Sequence, residues 1–176
     1  MKYIIVTGGA GFIGANVVKR LNELGEDKII IVDNLGSFEK WKNLVDLSFE
    51  DYIHKDKFID SLEKFNKTVK AIIHLGARSS TTEKNVDFLM KNNYEYTKLL
   101  AMWTIEKNVR FIYASSAATY GDGCHGFSDD HSLIPQLRPL NAYGYSKQMF
   151  DFWALKKGIL KSIVGLKYFN VFGPRE

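Results

Sequence analysis

The chain has 176 residues, of which 45% are hydrophobic and 25% charged, and its formal net charge is +4. This length suits one well-packed domain, and the composition is that of a globular protein. Lysines and arginines are scattered and often lie next to an acid, which argues against a nucleic-acid-binding surface. The single cysteine, Cys124, excludes a disulfide framework and a thiolate metal cluster, and the four histidines lack metal-ligand spacing, so we expect no metal.

No stretch of the sequence approaches the roughly 18 apolar residues of a membrane span, so we expect no membrane segment and a cytoplasmic location. Short apolar runs, typical of strands buried on both faces, alternate with segments of helical spacing. The predicted strands are Tyr3–Val6, Ile29–Val32, Leu44–Leu47, Ala71–Leu75, Phe111–Ala114 and Ile163–Tyr168. The predicted helices are Phe12–Leu24, Phe58–Phe65, much of Asp87–Lys107, and Tyr143–Leu155.

Alternating strands and helices indicate parallel pairing, because each connection must cross back over the sheet. The sequence therefore predicts an α/β fold with a doubly wound, Rossmann-like parallel sheet, forming one dinucleotide-binding domain over residues 1–176. Ligands of such folds bind at the carboxyl ends of the strands.

A glycine-rich loop follows the first predicted strand and begins the first predicted helix. Within Thr7–Gly14, Gly8 permits a tight turn, Gly11 lets the backbone approach a pyrophosphate, and Gly14 allows close packing of helix on strand. The positive end of the helix then faces the phosphates. The loop predicts a nicotinamide dinucleotide cofactor.

An acidic residue, Asp33, ends the second predicted strand 19 residues after Gly14. A carboxylate there can accept hydrogen bonds from the adenosine ribose, which favours NAD. Lys40 and Lys42 follow closely and could neutralise the 2′-phosphate of NADP. These residues leave both cofactors open.

Tyr143 and Lys147 form a Tyr-x-x-x-Lys pair, with side chains one helical turn apart on one face. A tyrosine has a pKa of about 10 and must lose its proton near neutrality to act as a base. An ammonium about 4 Å away contributes about 4 kcal/mol at an effective dielectric constant of about 20, enough to lower that pKa to about 7. The neighbouring Tyr145 has no lysine four residues later.

A hydroxyl partner for this pair is expected at the end of the fifth predicted strand. Ser116 is the choice to orient a substrate hydroxyl or carbonyl, with Ser115 and Thr119 as rivals. Tyrosine, lysine and serine together indicate proton transfer at a hydroxyl-bearing carbon.

The combined motifs resemble those of extended short-chain dehydrogenases that act on nucleotide sugars. The shared segments are Thr7–Gly14, His74–Ala77, Ser115–Ser116, Tyr143–Lys147 and Lys167–Pro174. A closer resemblance, to the family of ADP-L-glycero-D-manno-heptose 6-epimerases, rests on Asp33–Leu35, Asn43–Leu47, Asp51–Tyr52, Ala77–Glu83, Asn92–Tyr94 and Tyr113–Gly121.

This resemblance implies a redox-neutral isomerase of lipopolysaccharide precursor synthesis, in which the heptose is oxidised transiently at C6 with a tightly held NADP. It tips the cofactor choice to NADP, with NAD possible. Implied cofactor contacts are Phe12, Ile13, Asp33, Asn34, Lys40, Lys55, Leu75, Gly76, Ala77, Arg78, Ser79, Asn92, Lys147 and Val171. Tyr143 is the implied acid/base, and Ser116 and Asn170 the implied substrate contacts.

Two positions depart from the family pattern, since Leu75 and Arg78 stand where relatives often carry a glutamate and a cysteine. The family continues into a C-terminal substrate domain with a second acid/base lysine, and it assembles as homo-oligomers. We therefore expect residues 1–176 alone to bind NADP without epimerising ADP-heptose. The alternatives are a UDP- or dTDP-hexose 4-epimerase or 4,6-dehydratase, and a catalytically silent NADP-binding module.

Overall fold

The computed structural model describes residues 2–37 and 39–176, and its six strands form one parallel sheet in the order 3-2-1-4-5-6. The predicted doubly wound α/β fold is confirmed. The strands are β1 Tyr3–Thr7, β2 Ile29–Asp33, β3 Asp51–His54, β4 Val69–His74, β5 Arg110–Ser116 and β6 Ile163–Tyr168. The α-helices are α1 Phe12–Glu23, α2 Lys55–Ser61, α3 Val86–Leu89, α4 Tyr96–Glu106 and α5 Ala142–Lys156.

The third strand is Asp51–His54, so the prediction of a strand at Leu44–Leu47 was wrong. Leu44 ends a 3₁₀ helix, Glu39–Leu44. Leu44 and Leu47 are partly buried and pack against the core formed by β1, α1 and β2. These leucines are therefore apolar because they pack a connecting segment onto the core, and not because they belong to a strand buried in the sheet.

The predicted long helix over Asp87–Lys107 is present but interrupted. A π-helical turn, Met90–Glu95, separates α3 from α4. Asn85 caps the start of α3 by accepting a hydrogen bond from the main-chain N–H of Phe88 at 2.9 Å. Asn93, in the π turn, is 1% exposed.

The chain divides into two compact units. The first comprises the residues up to Gly76 with Trp103–Ile112 and Phe172–Glu176, and the second comprises Ala77–Met102 and Tyr113–Val171. Parallel ladders β1–β2, β1–β4 and β2–β3 bring the carboxyl ends of four strands to one edge within the first unit. Among the described residues, no helix is long and apolar enough to cross a membrane.

Candidate active site

The glycine loop of the first unit is held in a conformation that only glycine fits at two positions. Gly8 has φ +71°, and a Cβ there would lie 2.6 Å from the main-chain nitrogen of Gly76. A Cβ on Gly14 would overlap the carbonyl oxygen of Gly8. The backbone thus forms a tight turn between the end of β1 and the start of α1, as the motif predicts.

The start of α1 is built to present main-chain N–H groups. Gly11 is the N-cap residue, with extended backbone at φ −77° and ψ 171°, and its own N–H donates to the carbonyl of Gly8 at 3.0 Å. Among the described residues, no side chain caps the N-terminus of α1, and the first turn of α1 contains no acidic residue. Uncapped N–H groups and the helix dipole suit a phosphate, so the loop fits the pyrophosphate of a dinucleotide.

Asp33 closes this loop from β2 and is 6% exposed. Its Oδ2 accepts a hydrogen bond from the N–H of Ala10 at 2.9 Å, and its Oδ1 accepts one from the N–H of Asn34 at 2.7 Å. The ammonium of Lys40 forms an ion pair with the same Oδ1. Tyr52 on β3 donates from its hydroxyl to the carbonyl of Asp33 at 2.9 Å.

The three lysines that the sequence places near Asp33 have different partners. Lys40 pairs with Asp33, whereas Lys42 pairs with Glu39 at 2.5 Å and is more exposed. Lys55 begins α2, and its Nζ lies 3.0 Å from a carboxylate oxygen of Asp56. Of the two loop lysines, Lys40 is therefore the one at the acid that ends β2.

The segment after β4 is fixed to the end of β1. The N–H of Leu75 donates to the carbonyl of Thr7 at 3.0 Å, and the N–H of Gly76 donates to the Thr7 hydroxyl at 3.3 Å. That hydroxyl lies 2.5 Å from Nδ1 of His74, which is 1% exposed and stacks on Phe111. His74 is therefore a core residue that helps to hold the loop.

The segment continues in the second unit as Ala77, Arg78 and Ser79, and a buried asparagine binds the backbone of Arg78. Asn93 accepts from the N–H of Arg78 at 2.8 Å and donates to its carbonyl at 3.0 Å. Asn93 also donates to the hydroxyl of Ser146 on α5 at 2.9 Å. The predicted cofactor contact, Asn92, is half-buried and donates to the carbonyl of Phe88 at 2.8 Å. Sequence reasoning missed the role of Asn93.

Tyr143 and Ser116 are brought together at the end of β5. The side chain of Ser116 lies close enough to Tyr143 to lower the pKa of its phenol. The approach is close because a Cβ on Gly144 would lie 2.7 Å from the carbonyl oxygen of Ala118, so α5 packs directly on the turn that follows Ser116. The rival of Tyr143, Tyr145, is 47% exposed.

Lys147 is 4% exposed, and its Nζ donates to the carbonyl of Ala114 at 2.9 Å. Burial lowers the pKa of the ammonium to about 8, against the charge of Asp151, which raises it. Burial also raises the pKa of Tyr143, against the Ser116 hydrogen bond, which lowers it. The expected lowering of the tyrosine pKa by Lys147 is therefore not found, because desolvation of the phenol dominates and the ammonium binds a carbonyl.

A second buried acid, Asp151, lies one turn beyond Lys147 on α5 and was not singled out from the sequence. Its carboxylate accepts hydrogen bonds from Tyr113 at 2.9 Å and Ser115 at 2.7 Å, and pairs with Lys167 at 3.2 Å. Ser115 therefore serves this cluster, which leaves Ser116 as the hydroxyl beside Tyr143. The spacing of Tyr143, Lys147 and Asp151 at four-residue intervals is the signal that could have found it.

Two further predicted contacts, Asn170 and Val171, lie after β6 and are exposed. In the residues that the structure describes, no group of three or more acids, histidines and cysteines is arranged to hold a metal ion.

Comparison with known proteins identifies relatives of the whole chain. The sequence profile of the NAD dependent epimerase/dehydratase family matches residues 4–176. The ADP-L-glycero-D-manno-heptose-6-epimerase of Nitratidesulfovibrio vulgaris is 54% identical over 174 residues, which cover 98% of this chain and 54% of the relative. That of Fusobacterium nucleatum is 51% identical over 178 residues, with 98% and 54% covered. The chain thus spans about half the length of these curated relatives.

Two solved structures that resemble this chain are also epimerases. The crystal structure of the Helicobacter pylori ADP-L-glycero-D-manno-heptose-6-epimerase is 32% identical, with a TM-score of 0.85 over 99% of this chain and 57% of that one. The UDP-glucuronic acid 4-epimerase of Bacillus cereus, in complex with NAD, is 25% identical, with a TM-score of 0.81 over 99% and 58%.

Proposed function

This chain belongs to the NAD dependent epimerase/dehydratase family, and on that premise we propose that it is the cofactor-binding and proton-transfer part of an ADP-heptose 6-epimerase. The reaction is inversion at C6 of ADP-D-glycero-D-manno-heptose to give the L-glycero epimer. The placement of Ser116 beside Tyr143, one turn from buried Lys147, is the observation that carries the proposal. Identities of 51% and 54% to two epimerases of this name support the substrate.

The proposed cofactor is NADP, bound by the first unit. The glycine loop suits a pyrophosphate, because Gly8, Gly9 and Gly11 carry no side chain in its turn and no side chain caps the α1 N-terminus. Lys40 supplies the cation for the 2′-phosphate, and Asp33 holds both Lys40 and the loop amide of Ala10. NAD remains the alternative, because an acid at the end of β2 suits a ribose hydroxyl.

In the second unit, Tyr143 acts as the acid/base that removes the proton from the reacting oxygen and returns it. Ser116, which lies beside Tyr143, orients that oxygen by hydrogen bonding to it. Burial dominates the pKa of the resting phenol, and we propose that the ammonium of Lys147, one turn away, stabilises the phenolate only once the tyrosine has given up its proton. When bound, the nicotinamide supplies a reversible hydride acceptor for the carbon that bears this oxygen.

Asn170 is the proposed second contact to the sugar, and Val171 and Asn92 are proposed cofactor contacts. Homo-oligomer formation and a cytoplasmic location remain predictions from the sequence. A UDP-hexose 4-epimerase is the second candidate, supported by the TM-score of 0.81 to the Bacillus cereus enzyme at 25% identity. The lower identity ranks it behind the ADP-heptose reaction. A silent NADP-binding module has no use for the Tyr143, Ser116 and Lys147 arrangement.

A chimera tests the proposal. The 174-residue matching region of the Nitratidesulfovibrio vulgaris enzyme is replaced by this chain. We expect the chimera to retain tightly bound NADP and to interconvert the two ADP-heptose epimers, followed by NMR. Its Tyr143→Phe variant should keep the cofactor and the ring packing but lose turnover.

The matched control is Tyr145→Phe, which removes an exposed hydroxyl from the same helix and should leave turnover unchanged. A chimera that binds NADP but acts only on UDP-hexoses would favour the second candidate. Near-normal epimerisation by Tyr143→Phe would contradict the assignment of the acid/base.

A further inference from the structure

The loop that carries Lys40 is fastened by an arginine from the far end of the chain. Both Nη2 hydrogen bonds of Arg175 go to the carboxylate of Asp46, at 2.7 and 2.6 Å, and its Nη1 donates to the carbonyl of Asn43 at 2.6 Å. The arginine side chain is only 12% exposed. All of these residues belong to the first unit. The planar guanidinium binds the carboxylate through one nitrogen and a main-chain carbonyl through the other, and this two-point contact fixes direction as well as distance.

The backbone around Arg175 is also committed to this contact. Arg175 has φ +71°, a left-handed conformation that side-chain-bearing residues seldom adopt. The preceding carbonyl, of Pro174, accepts a hydrogen bond from the side chain of Asn16 on α1 at 2.8 Å. A strained residue persists where its surroundings determine its conformation, and here two anchors on the first unit do so.

The other side of the fastened loop reaches the glycine loop. Asn43 donates from Nδ2 to the carbonyl of Ala10 at 3.0 Å, while the N–H of Ala10 donates to Asp33 at 2.9 Å. Lys40, ion-paired to Asp33, has its Cε 4.0 Å from the position of a Cβ on Gly11. The 3₁₀ helix Glu39–Leu44 is therefore linked to the glycine loop directly by Asn43 and indirectly by Lys40, which pairs with the Asp33 that binds Ala10.

We propose that Arg175 is a positioning residue for dinucleotide binding. By holding Asn43 and Asp46, it keeps the 3₁₀ helix Glu39–Leu44 seated on the glycine loop, so that Asn43 shapes the phosphate turn and Lys40 stays at the adenosine end. The inference rests on the proposed function in one respect, that a dinucleotide binds at the glycine loop. We expect Arg175 to affect the affinity for NADP more than the affinity for NAD, because its effect on the 2′-phosphate passes through Lys40.

The test uses the 176-residue chain and titrates it with NADP and with NAD, following cofactor fluorescence or calorimetry. Arg175→Met removes the guanidinium and should weaken NADP binding about tenfold, with a smaller effect on NAD. Arg175→Lys keeps the charge without the two-point contact and should recover part of the loss. Asp46→Asn should resemble Arg175→Met. Arg20→Met, which removes an exposed guanidinium from the same unit, is the control and should bind as wild type does.

A double variant separates positioning from general stability. In a Lys40→Ala background, Arg175→Met should no longer change the ratio of NADP to NAD affinity. Hydrogen exchange of the ligand-free chain should be faster over residues 39–47 and at Ala10 in Arg175→Met than in wild type. Equal losses for both cofactors, additive with Lys40→Ala, would overturn the inference, as would unchanged exchange over residues 39–47.

The outcomes also distinguish this inference from the proposed function. If wild-type chain binds neither dinucleotide, the proposed cofactor site fails and the inference fails with it. If wild type binds NADP and Arg175→Met binds it equally well, only the inference is wrong.

Discussion

The carboxylate of Asp33 and the ammonium of Lys40, seven residues apart, form an ion pair at the mouth of the glycine loop. An acid at the end of β2 would by itself repel a 2′-phosphate. Paired with Lys40, it anchors a cation there instead. We therefore expect the same two residues to set the balance between NADP and NAD affinity.

Lys40→Ala should reduce NADP affinity by about tenfold or more and leave NAD affinity nearly unchanged. The substitution removes the cation and leaves the carboxylate of Asp33 facing the 2′-phosphate. Titration of the 176-residue chain with both cofactors gives the ratio. Lys42→Ala is the matched control, because Lys42 pairs with Glu39 and not with Asp33. An unchanged ratio of NADP to NAD affinity in Lys40→Ala would show that Lys40 does not bind the 2′-phosphate.

Gly8→Ala should destabilise the fold and abolish dinucleotide binding. The residue has φ +71°, and its Cβ would meet the backbone of Gly76 at 2.6 Å. Gly25→Ala is the control for backbone conformation alone, because Gly25 has φ +81° and open space around it. We expect about 1 kcal/mol for Gly25→Ala and about 3 kcal/mol or more for Gly8→Ala in urea unfolding. Equal costs would mean that the contact with Gly76 is unimportant.

The free energy of unfolding should rise as the pH increases from about 8 to about 10. The pKa of Lys147 is lowered to about 8 by burial, so between that value and the ordinary value of about 10.4 the unfolded chain binds more protons than the folded one. The gain is at most about 3 kcal/mol, and it is lost as the pH falls through 8. Burial raises the pKa of Tyr113 and Tyr143, so their ionisation in the unfolded chain lowers stability above about pH 10.

Urea unfolding between pH 7.5 and about 9.5 measures this slope. Lys147→Met should flatten it and raise stability at neutral pH, since the ammonium no longer has to be buried. Lys156→Met, from the exposed end of the same helix, should keep the wild-type slope. A wild-type slope in Lys147→Met would show that another group causes it.

Asp151→Asn should cost about 3–5 kcal/mol of unfolding free energy, because it removes the charge opposite Lys167 in a buried cluster. Asp129→Asn, on the exposed surface, should cost little. Adding Lys167→Met to Asp151→Asn should restore part of the loss, because the unpaired cation goes with its partner. Since Asp151 raises the pKa of Lys147, the rise in stability should also begin below pH 8 in Asp151→Asn.

Local sequence patterns predicted those features of the candidate site that depend on local backbone geometry. The glycine loop, Asp33 and the Tyr143–Lys147 pair each follow from spacing along one turn or one strand-to-helix connection, where geometry is fixed by the backbone. The strand Asp51–His54 was missed because it is short and half exposed, whereas Leu44–Leu47 was apolar for another reason.

Contacts between distant residues were beyond sequence reasoning. Asn43 on Ala10 spans 33 positions, Asn93 on Ser146 spans 53, and Arg175 on Asp46 spans 129. Each is a polar side chain of ordinary type, and its partner is chosen by the fold and not by its neighbours along the chain. The same holds for the pKa of Tyr143, which burial raises, because the depth at which the phenol is buried depends on the fold.

The π-helical turn Met90–Glu95 sets the phase of the helix that contains it. A π turn holds one more residue than the α-helical turn it replaces, so α3 and α4 are offset by one position, or about 100° of rotation. Asn93 lies within that wider turn and reaches both Arg78 and Ser146 from it. A chain one residue shorter between Met90 and Glu95 would close a regular helix, rotate α3 out of phase with α4, and move the amide of Asn93 away from one of its two partners.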